Sequence, residues 1–280
     1  MIKTFGHMNV RLIDLLKASR NGYDYPCVFI ERAAEKAADT IDLPRGLLGR
    51  YRTDKAQTPT SIELDKYHHG LLFSSEAGLR LLGAASVIFW GYFTSNYGRA
   101  KNRVEQYLTC VGQAPEIVDR AIINAAKASR TDVGTALSNL KPVSQLGQMP
   151  FGSKVVAFLA PERAGIYDNR INTLLIAHPS LANVMLDGRS PLSADPKSKM
   201  MRDASVYVPR NQQRYRAWCA ALTRLAARLN NASVTWKCSE SAEQSWRALD
   251  VERALFHLGR PEHEEAVDLI VHELRGTPSE

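Results

Sequence analysis

Residues 149–171 read MPFGSKVVAFLAPERAGIYDNRI. A turn containing Gly152 is expected to lead into a short apolar helix with Lys154 near its beginning. Asp168 is expected to lie directly before the next helix. A helix, a tight turn and a second helix present backbone N–H groups where the second helix starts, and the helix dipole also favours an anion there. The stretch therefore predicts a phosphate-binding turn beside a lysine and an aspartate.

Lys154 and Asp168 together suit chemistry on a nucleoside. A partly desolvated amine can attack the C1′ atom of a sugar and form a Schiff base as the nucleobase leaves. A carboxylate can stabilise positive charge on that sugar, or accept a proton from the attacking amine or water. Each residue also has an ordinary structural alternative. Lys154 is then a solvated lysine in the first turn of a helix, and Asp168 is an N-cap that contributes about 1 kcal/mol.

Two segments of this stretch resemble the helix-hairpin-helix DNA glycosylase superfamily. Phe151-Gly152-Ser153-Lys154 is similar to the end of the Leu-Pro-Gly-Val-Gly-x-Lys pattern of the family's hairpin. Ile166-Tyr167-Asp168 is similar to the approach to the family's Val-Asp-x-His segment. The resemblance implies that Lys154 is the nucleophile found in members that also cut the strand, and that Asp168 is the catalytic carboxylate.

The chain also departs from the family pattern. Pro150 stands where the first hairpin glycine is expected, so that backbone amide cannot donate a hydrogen bond. Arg170 replaces the usual histidine, and Pro161 must end a short intervening helix. Further along, WRALDVERALF at residues 246–256 resembles the C-terminal segment of bacterial proteins with an 8-oxoguanine-glycosylase-like fold.

The resemblance implies a DNA-binding surface and a pocket for a base extruded from the duplex. The residues expected to contact DNA are Phe151, Gly152, Ser153, Arg170, Arg99 and Arg214. The residues expected to line the base pocket are Trp90, Tyr92, Asn96 and Phe256. The alternative for most of these side chains is structural: an apolar core helix with a solvated basic end, or the exposed side of an amphipathic helix.

Composition agrees with a polyanionic partner. The chain has 280 residues, a formal net charge of +7 and 45% hydrophobic residues. A basic surface suits nucleic acid, although many basic proteins bind none. We expect a monomer that acts on double-stranded DNA with a modified base. Residues 1–280 would form a single two-lobed catalytic domain, in which residues 131–178 form the hairpin and the catalytic aspartate segment.

Cysteine spacing and hydropathy exclude several classes. No two of the four cysteines stand in a C-x-x-C arrangement, which argues against a zinc ribbon or an iron–sulfur cluster. Residues 1–10 lack the apolar core of a signal peptide, and the longest apolar run, residues 81–93, is too short to span a bilayer. These features predict a cytoplasmic protein without a membrane partner.

No pattern in the chain predicts a cofactor. His68 and His69 are adjacent and project apart, and no carboxylate or cysteine stands at ligand spacing from them. The chain contains neither a P-loop nor a G-x-G-x-x-G fingerprint. We therefore expect no catalytic metal and no nucleotide cofactor. The family resemblance allows a structural monovalent ion at the hairpin carbonyls.

Helical spacing of apolar residues dominates the chain and predicts about ten helices. Residues 8–19 and 29–39 are expected to be short helices, residues 42–65 an irregular arm and residues 186–209 mainly loop. The expected fold is mainly α, a two-lobed helix-hairpin-helix DNA glycosylase fold with little or no sheet.

The hypothesis from the sequence is a DNA glycosylase that leaves an abasic site, with a strand-cutting lyase step left open. Its substrate is either 8-oxoguanine in DNA repair or a hypermodified cytosine of phage DNA, such as glucosylated 5-hydroxymethylcytosine, in phage defence. Two alternatives remain at this point. One is a helix-hairpin-helix DNA-binding protein without catalysis, and the other is an unrelated helical interaction protein.

Overall fold

The structure is a computed structural model that describes residues 8–53, 60–93, 96–195, 197, 200–238, 242–258 and 264–275, without the side chains of residues 110–113 and 264. This part of the chain is mainly helical, with twelve α-helices and two small antiparallel sheets. The predicted mainly α class is thereby confirmed.

Most of the elements follow one another along the chain with short connections, and residues 186–208 form a longer one. In order they are α1 Val10–Asn21, β1 Phe29–Ala33, β2 Thr40–Leu43, β3 Leu47–Arg52, α2 Ser61–Leu72, α3 Ala77–Tyr92, α4 Tyr97–Gln113, α5 Pro115–Ser129, α6 Val133–Asn139, α7 Met149–Leu159, α8 Asn169–Ala177, α9 Pro179–Met185, α10 Pro209–Asn231, β4 Trp236–Lys237, β5 Glu243–Gln244, α11 Ala248–Leu258 and α12 Glu264–Arg275.

The chain divides into two compact units, each assembled from separate segments. The terminal unit contains Met1–Tyr23, Glu162–Asp203 and Arg214–Glu280, and the central unit contains Asp24–Pro161 and Ala204–Gln213. The boundary at Pro161 and Glu162 falls inside the predicted hairpin and aspartate segment. Lys154 therefore belongs to the central unit and Asp168 to the terminal unit.

The three-stranded sheet of the central unit corrects two predictions. The strands pair antiparallel in the order β1-β3-β2, with Phe29 opposite Arg52. Residues 29–33 are thus a strand and not the start of a helix, because pairing with β3 overrides the helix-favouring composition that follows. The irregular arm predicted over residues 42–65 is also wrong where it is described, since it contains β3 and the start of α2. Residues 54–59 lie outside the described residues.

Helix α3 is the core of the central unit. Every residue from 81 to 90 is buried, which is the pattern of a helix enclosed by its neighbours. The helix ends at Tyr92, one residue before the apolar run of the sequence ends. Ser86 on this helix accepts a hydrogen bond from the Ile30 backbone N–H at 2.9 Å, which ties α3 to β1.

The connection between α6 and α7 differs from the prediction. Asp132 caps α6, accepting the Gly134 N–H at 2.9 Å. The chain then reverses over residues 140–148, and α7 begins at Met149. Gly152 therefore lies inside the second helix and not in a tight turn. The reversal is several residues longer and earlier than the sequence pattern indicated.

The terminal unit is assembled around α1, α10 and α11. Four apolar residues of α10 are fully buried at the spacing of one helix face, namely Trp218, Leu222, Leu225 and Leu229. The segment between α10 and α11 forms a short hairpin in which β4 pairs with β5, Trp236 opposite Gln244. No helix among the described residues is long and apolar enough to cross a membrane.

Candidate active site

Lys154 lies in the middle of α7 and is only 5% exposed. Its side chain turns back towards the start of its own helix, and its Nζ donates to the Pro150 carbonyl oxygen at 3.1 Å. The amine is thus held by a protein group and has lost most of its contact with bulk water. The solvated lysine considered as the structural alternative does not fit this burial.

Aromatic rings surround the amine. The Lys154 Nζ lies 5.2 Å from the centroid of the Phe151 ring and 5.9 Å from that of Trp90, distances at which a cation is attracted to a ring face. Phe151 in turn stacks on Tyr92, with ring centroids 3.9 Å apart and planes at 17°. The Arg103 guanidinium lies 5.1 Å from the Tyr92 centroid. Burial raises the pKa of Tyr92, and Arg103 partly opposes that shift.

The backbone donors at the start of α7 are occupied. The Met149 N–H donates to the Ala204 carbonyl at 2.7 Å, and the N–H groups of Phe151 and Gly152 both donate to the Gln148 carbonyl, at 3.1 and 2.9 Å. Pro150 has no N–H. The phosphate-binding amides predicted here therefore do not fit the structure, because a strand-like bridge between Gln148 and Ser205 already closes this helix end.

Gly152 and Ser153 are buried within α7, which does not fit their predicted contact with DNA. A Cβ atom on Gly152 would lie 2.8 Å from the Leu146 carbonyl oxygen and 2.9 Å from Leu137 Cδ1. The glycine thus lets α7 pack closely against the preceding turn and α6. Phe151, the third residue of the same predicted set, is half-buried.

Asp168 is the N-cap of α8, as predicted. Its Oδ1 accepts the backbone N–H groups of Arg170 and Ile171, at 3.0 and 3.1 Å. The preceding Tyr167 is buried and donates its hydroxyl to Asn172 Oδ1 at 3.0 Å, which fixes the chain as it enters the helix. The half-buried carboxylate is therefore held in one orientation by the first turn of α8.

Arg170 and Phe256 lie together in the terminal unit. The exposed Arg170 guanidinium is 4.2 Å from the centroid of the half-buried Phe256 ring. The Phe256 ring also contacts the Tyr23 ring edge to face, with the two ring centroids 5.7 Å apart. The terminal unit thus places a cation on an aromatic surface two residues after Asp168. Tyr23 had no distinguishing pattern in the sequence.

No family model, curated protein or solved structure matches this chain. The contacts of its own residues are therefore the basis for any assignment. Among the described residues, no group of three or more histidine, cysteine, aspartate or glutamate side chains is placed to hold a metal ion.

Several other predicted site residues have structural roles. Trp90 is 2% exposed and packs edge-on against Phe158, with ring centroids 5.2 Å apart. It therefore belongs to the core and not to the wall of an open pocket. Asn96 is exposed and caps α4, accepting the Arg99 N–H at 2.9 Å. Arg214 is buried and donates its Nε to the Ser190 carbonyl at 2.7 Å, which does not fit a phosphate contact.

Eight of the twelve predicted site residues fall into two local clusters, together with Arg103 and Tyr23, which were not among them. The central-unit cluster consists of Lys154, Phe151, Trp90, Tyr92, Arg99 and Arg103. The terminal-unit cluster consists of Asp168, Arg170, Phe256 and Tyr23. Gly91, which lies against Lys154, was missed by sequence reasoning, although an isolated glycine in an apolar helix can indicate close packing.

Proposed function

We propose that this protein is a DNA glycosylase of the helix-hairpin-helix type, which excises a modified base and leaves an abasic site. The observation that supports it most is the burial of Lys154 against Phe151 and Trp90, in the segment that resembles the family's nucleophile pattern. A lysine amine that is shielded from water and held in one place by protein groups suits the role of an amine nucleophile.

In the proposed reaction the Lys154 amine acts in its neutral form. Its lone pair forms a bond to C1′ of the target nucleotide, while the bond from C1′ to the base breaks and the base leaves with that electron pair and a proton. One amine proton offsets the proton that the base carries away. The other passes to O4′ as the C1′–O4′ bond breaks and the nitrogen lone pair forms the C=N bond of the Schiff base. Hydrolysis of the Schiff base releases the abasic site and restores the amine.

Asp168 is proposed as the carboxylate of this reaction. Two backbone amides fix its Oδ1, so the carboxylate needs no reorientation when positive charge develops on the sugar. It would stabilise that positive charge and accept the proton released by the attacking amine or by water. Arg170 is exposed beside it and suits a contact with the DNA strand.

The proposed substrate is double-stranded DNA that contains a modified base, extruded before cleavage. Extrusion costs a few kcal/mol and is least costly at damaged or mispaired positions. The two substrate groups are a hypermodified cytosine of phage DNA, such as glucosylated 5-hydroxymethylcytosine, and 8-oxoguanine. The first would make the protein an antiviral defence enzyme and the second a repair enzyme.

The experiment that tests this function is mass spectrometry of free bases released from two DNAs. One is phage DNA with glucosylated hydroxymethylcytosine, and the other is a duplex with 8-oxoguanine. We expect release from one of them, lost in Lys154→Gln and in Asp168→Asn while duplex binding is retained. Lys141→Gln is the matched control, since Lys141 is an exposed lysine of the same unit. Release that is unchanged in both site variants would overturn the assignment.

A DNA-binding protein without catalysis is the second candidate, and one observation favours it. Asp168 caps α8 and Lys154 donates to the Pro150 carbonyl, so each residue already has a structural partner. This candidate predicts salt-dependent duplex binding with no base released from any substrate. It also predicts that Lys154→Gln and Asp168→Asn leave every DNA-dependent activity unchanged.

A further inference from the structure

The side chain of Lys154 lies across a position of α3 that has no side chain. A Cβ atom built on Gly91 would be 2.8 Å from Lys154 Cδ, 3.0 Å from Lys154 Cε and 2.9 Å from Phe151 Cε1. Such distances are too short for real carbon atoms, so any larger residue at this position would displace the lysine or the ring.

We propose that Gly91 is a positioning residue for Lys154. Its missing side chain leaves a slot at the end of α3, through which the aliphatic part of the lysine reaches the place where its amine is held. The slot is a property of the packing. Its importance for the reaction rests on the proposed function, in which the amine must meet a sugar carbon at a defined position.

A stacked aromatic ring, that of Phe151, forms one wall of the slot. Phe151 is stacked on Tyr92, the residue after Gly91, so the ring cannot move aside without losing that stack. Trp90, the residue before Gly91, is packed in the core. Of the groups around the glycine, the lysine is therefore the most easily displaced, since its methylenes rotate more freely than two interlocked rings.

Tyr25 holds the backbone of α3 at the position of the slot. Its hydroxyl lies 3.2 Å from the carbonyl oxygens of both Trp90 and Gly91, and its ring centroid is 4.9 Å from that of Trp90. The Trp90 carbonyl also accepts the Phe93 N–H at 3.1 Å, and the shared hydroxyl adds a second contact that holds this end of α3 in place. The backbone at Gly91 is consequently held by Tyr25, which lies in the connection between α1 and β1.

The reaction gives the first test. We expect Gly91→Ala to lower kcat for base release on the order of 10²-fold, the effect of misplacing a reacting group by about 1 Å, with little change in KM for the duplex. Gly83→Ala is the matched control in the same helix, because a Cβ there would lie 2.9 Å from Leu71 Cβ, well away from the lysine. A wild-type kcat in Gly91→Ala, or an equal loss in both variants, would overturn the inference.

A double-mutant cycle tests the slot without reference to any activity. Thermal unfolding is measured for Gly91→Ala in the wild-type background and in a Lys154→Ala background. We expect the alanine at position 91 to lower Tm less in the second background, because the atoms that it would displace are gone. Equal losses in the two backgrounds contradict the slot.

The double-mutant cycle also distinguishes a failure of the packing inference from a failure of the proposed function. A wild-type protein that releases no base while the cycle shows coupling would leave the packing correct and the glycosylase assignment wrong. If Gly91→Ala fails to fold while the double variant folds, the same coupling has been observed. Coupling in the cycle together with an unaltered kcat would show that Gly91 packs against the lysine without positioning it for reaction, and would overturn the inference.

Discussion

Asp250 is a carboxylate enclosed by arginines in the interior of the terminal unit. Its Oδ1 accepts from Arg20 Nη2 at 2.9 Å, its Oδ2 accepts from Arg247 Nε at 2.7 Å, and Arg253 Nη1 lies 3.9 Å away. Burial alone would raise the pKa of Asp250, but Arg247, Arg20 and Arg253 together lower it. The carboxylate is therefore needed to compensate cations that the fold has already buried.

Replacing Asp250 should be strongly destabilising. We expect Asp250→Asn to lower the free energy of unfolding by roughly 3–5 kcal/mol, because the change leaves buried guanidinium groups without their counter-ion. Urea unfolding at neutral pH measures this, and Asp268→Asn on the exposed side of α12 is the control. A loss below about 1 kcal/mol, the value of an exposed ion pair, would show that the cluster is compensated in another way.

The same carboxylate makes stability depend on acid. A carboxyl whose pKa is lowered by folding stabilises the protein above its unfolded pKa of about 4, and this stabilisation is lost as the pH falls towards the lowered value. We expect the wild-type protein to lose stability on acidification through this range more steeply than Asp250→Asn. Unfolding midpoints measured between pH 5 and 3 compare the two, as rough bounds of that range. Parallel curves would contradict the lowered pKa.

Cys219 should be chemically inert in the folded protein. Burial raises the pKa of its thiol to about 12, with opposing hydrogen bonds from the Gly165 backbone and Tyr215. Alkylation requires the thiolate, so the folded protein exposes almost none at pH 8. Mass spectrometry after brief iodoacetamide treatment should find Cys27 and Cys238 modified before Cys219, since both are only half-buried. Early modification of Cys219 would mean that α10 opens readily.

For single residues, the sequence predicted the place in a helix better than it predicted the burial and contacts of the side chain. The N-cap role of Asp168 followed from its place before an apolar helix, and the structure confirms it. The burial of Gly152, Ser153 and Arg214 did not follow, because it depends on contacts with residues distant in the chain. Local patterns do not encode which face of a helix meets such partners.

Helices were predictable wherever apolar spacing was continuous. The apolar run that begins at Leu81 was sufficient, and helix α3 covers nearly all of it. Residues 29–33 were mistaken for helix because local composition favours it, whereas the strand exists through pairing with β3. The long reversal before α7 was hidden for the same reason, since Gly147 and Gln148 are held by residues beyond position 203.

Two glycines in helices should respond oppositely to alanine. Gly152→Ala should lower the free energy of unfolding by roughly 1–3 kcal/mol, since its Cβ would meet the Leu146 carbonyl oxygen at 2.8 Å. Gly70→Ala in α2 should raise it by about 0.5–1 kcal/mol, because nothing lies within 4 Å and alanine is the better helix former. Thermal unfolding of the two variants decides this. Stabilisation by both would mean that α7 shifts easily against the turn.

The two units place the proposed lysine and carboxylate on separate parts of the fold. The central unit contains Lys154 with Arg99, and the terminal unit contains Asp168 with Arg170. If the proposed function is correct, both units must act on one bound duplex. The sequence indicated the pair of residues but not this division, because the boundary follows tertiary contacts and no change in composition marks it.

Duplex binding should therefore use arginines of both units. We expect Arg99→Ala and Arg170→Ala each to weaken binding and to reduce the slope of log affinity against log salt by about one, since both guanidinium groups are exposed. Fluorescence anisotropy over a range of salt concentrations measures the slope. Arg11→Ala is the control, because Arg11 is paired with Glu265 at 2.5 Å. An unchanged slope in the Arg170 variant would remove the terminal unit from the DNA surface.

The bond from the Met149 N–H to the Ala204 carbonyl has a consequence for how the protein is made. A chain that leaves the ribosome from its N-terminus exposes Lys154 long before Ala204 is synthesised. Until then the start of α7 lacks the segment that closes it, and the central unit lacks Ala204–Gln213 altogether. A nascent chain interrupted between these two points would contain the lysine without its finished helix. The order of synthesis thus delays completion of the candidate site until most of the chain has been translated.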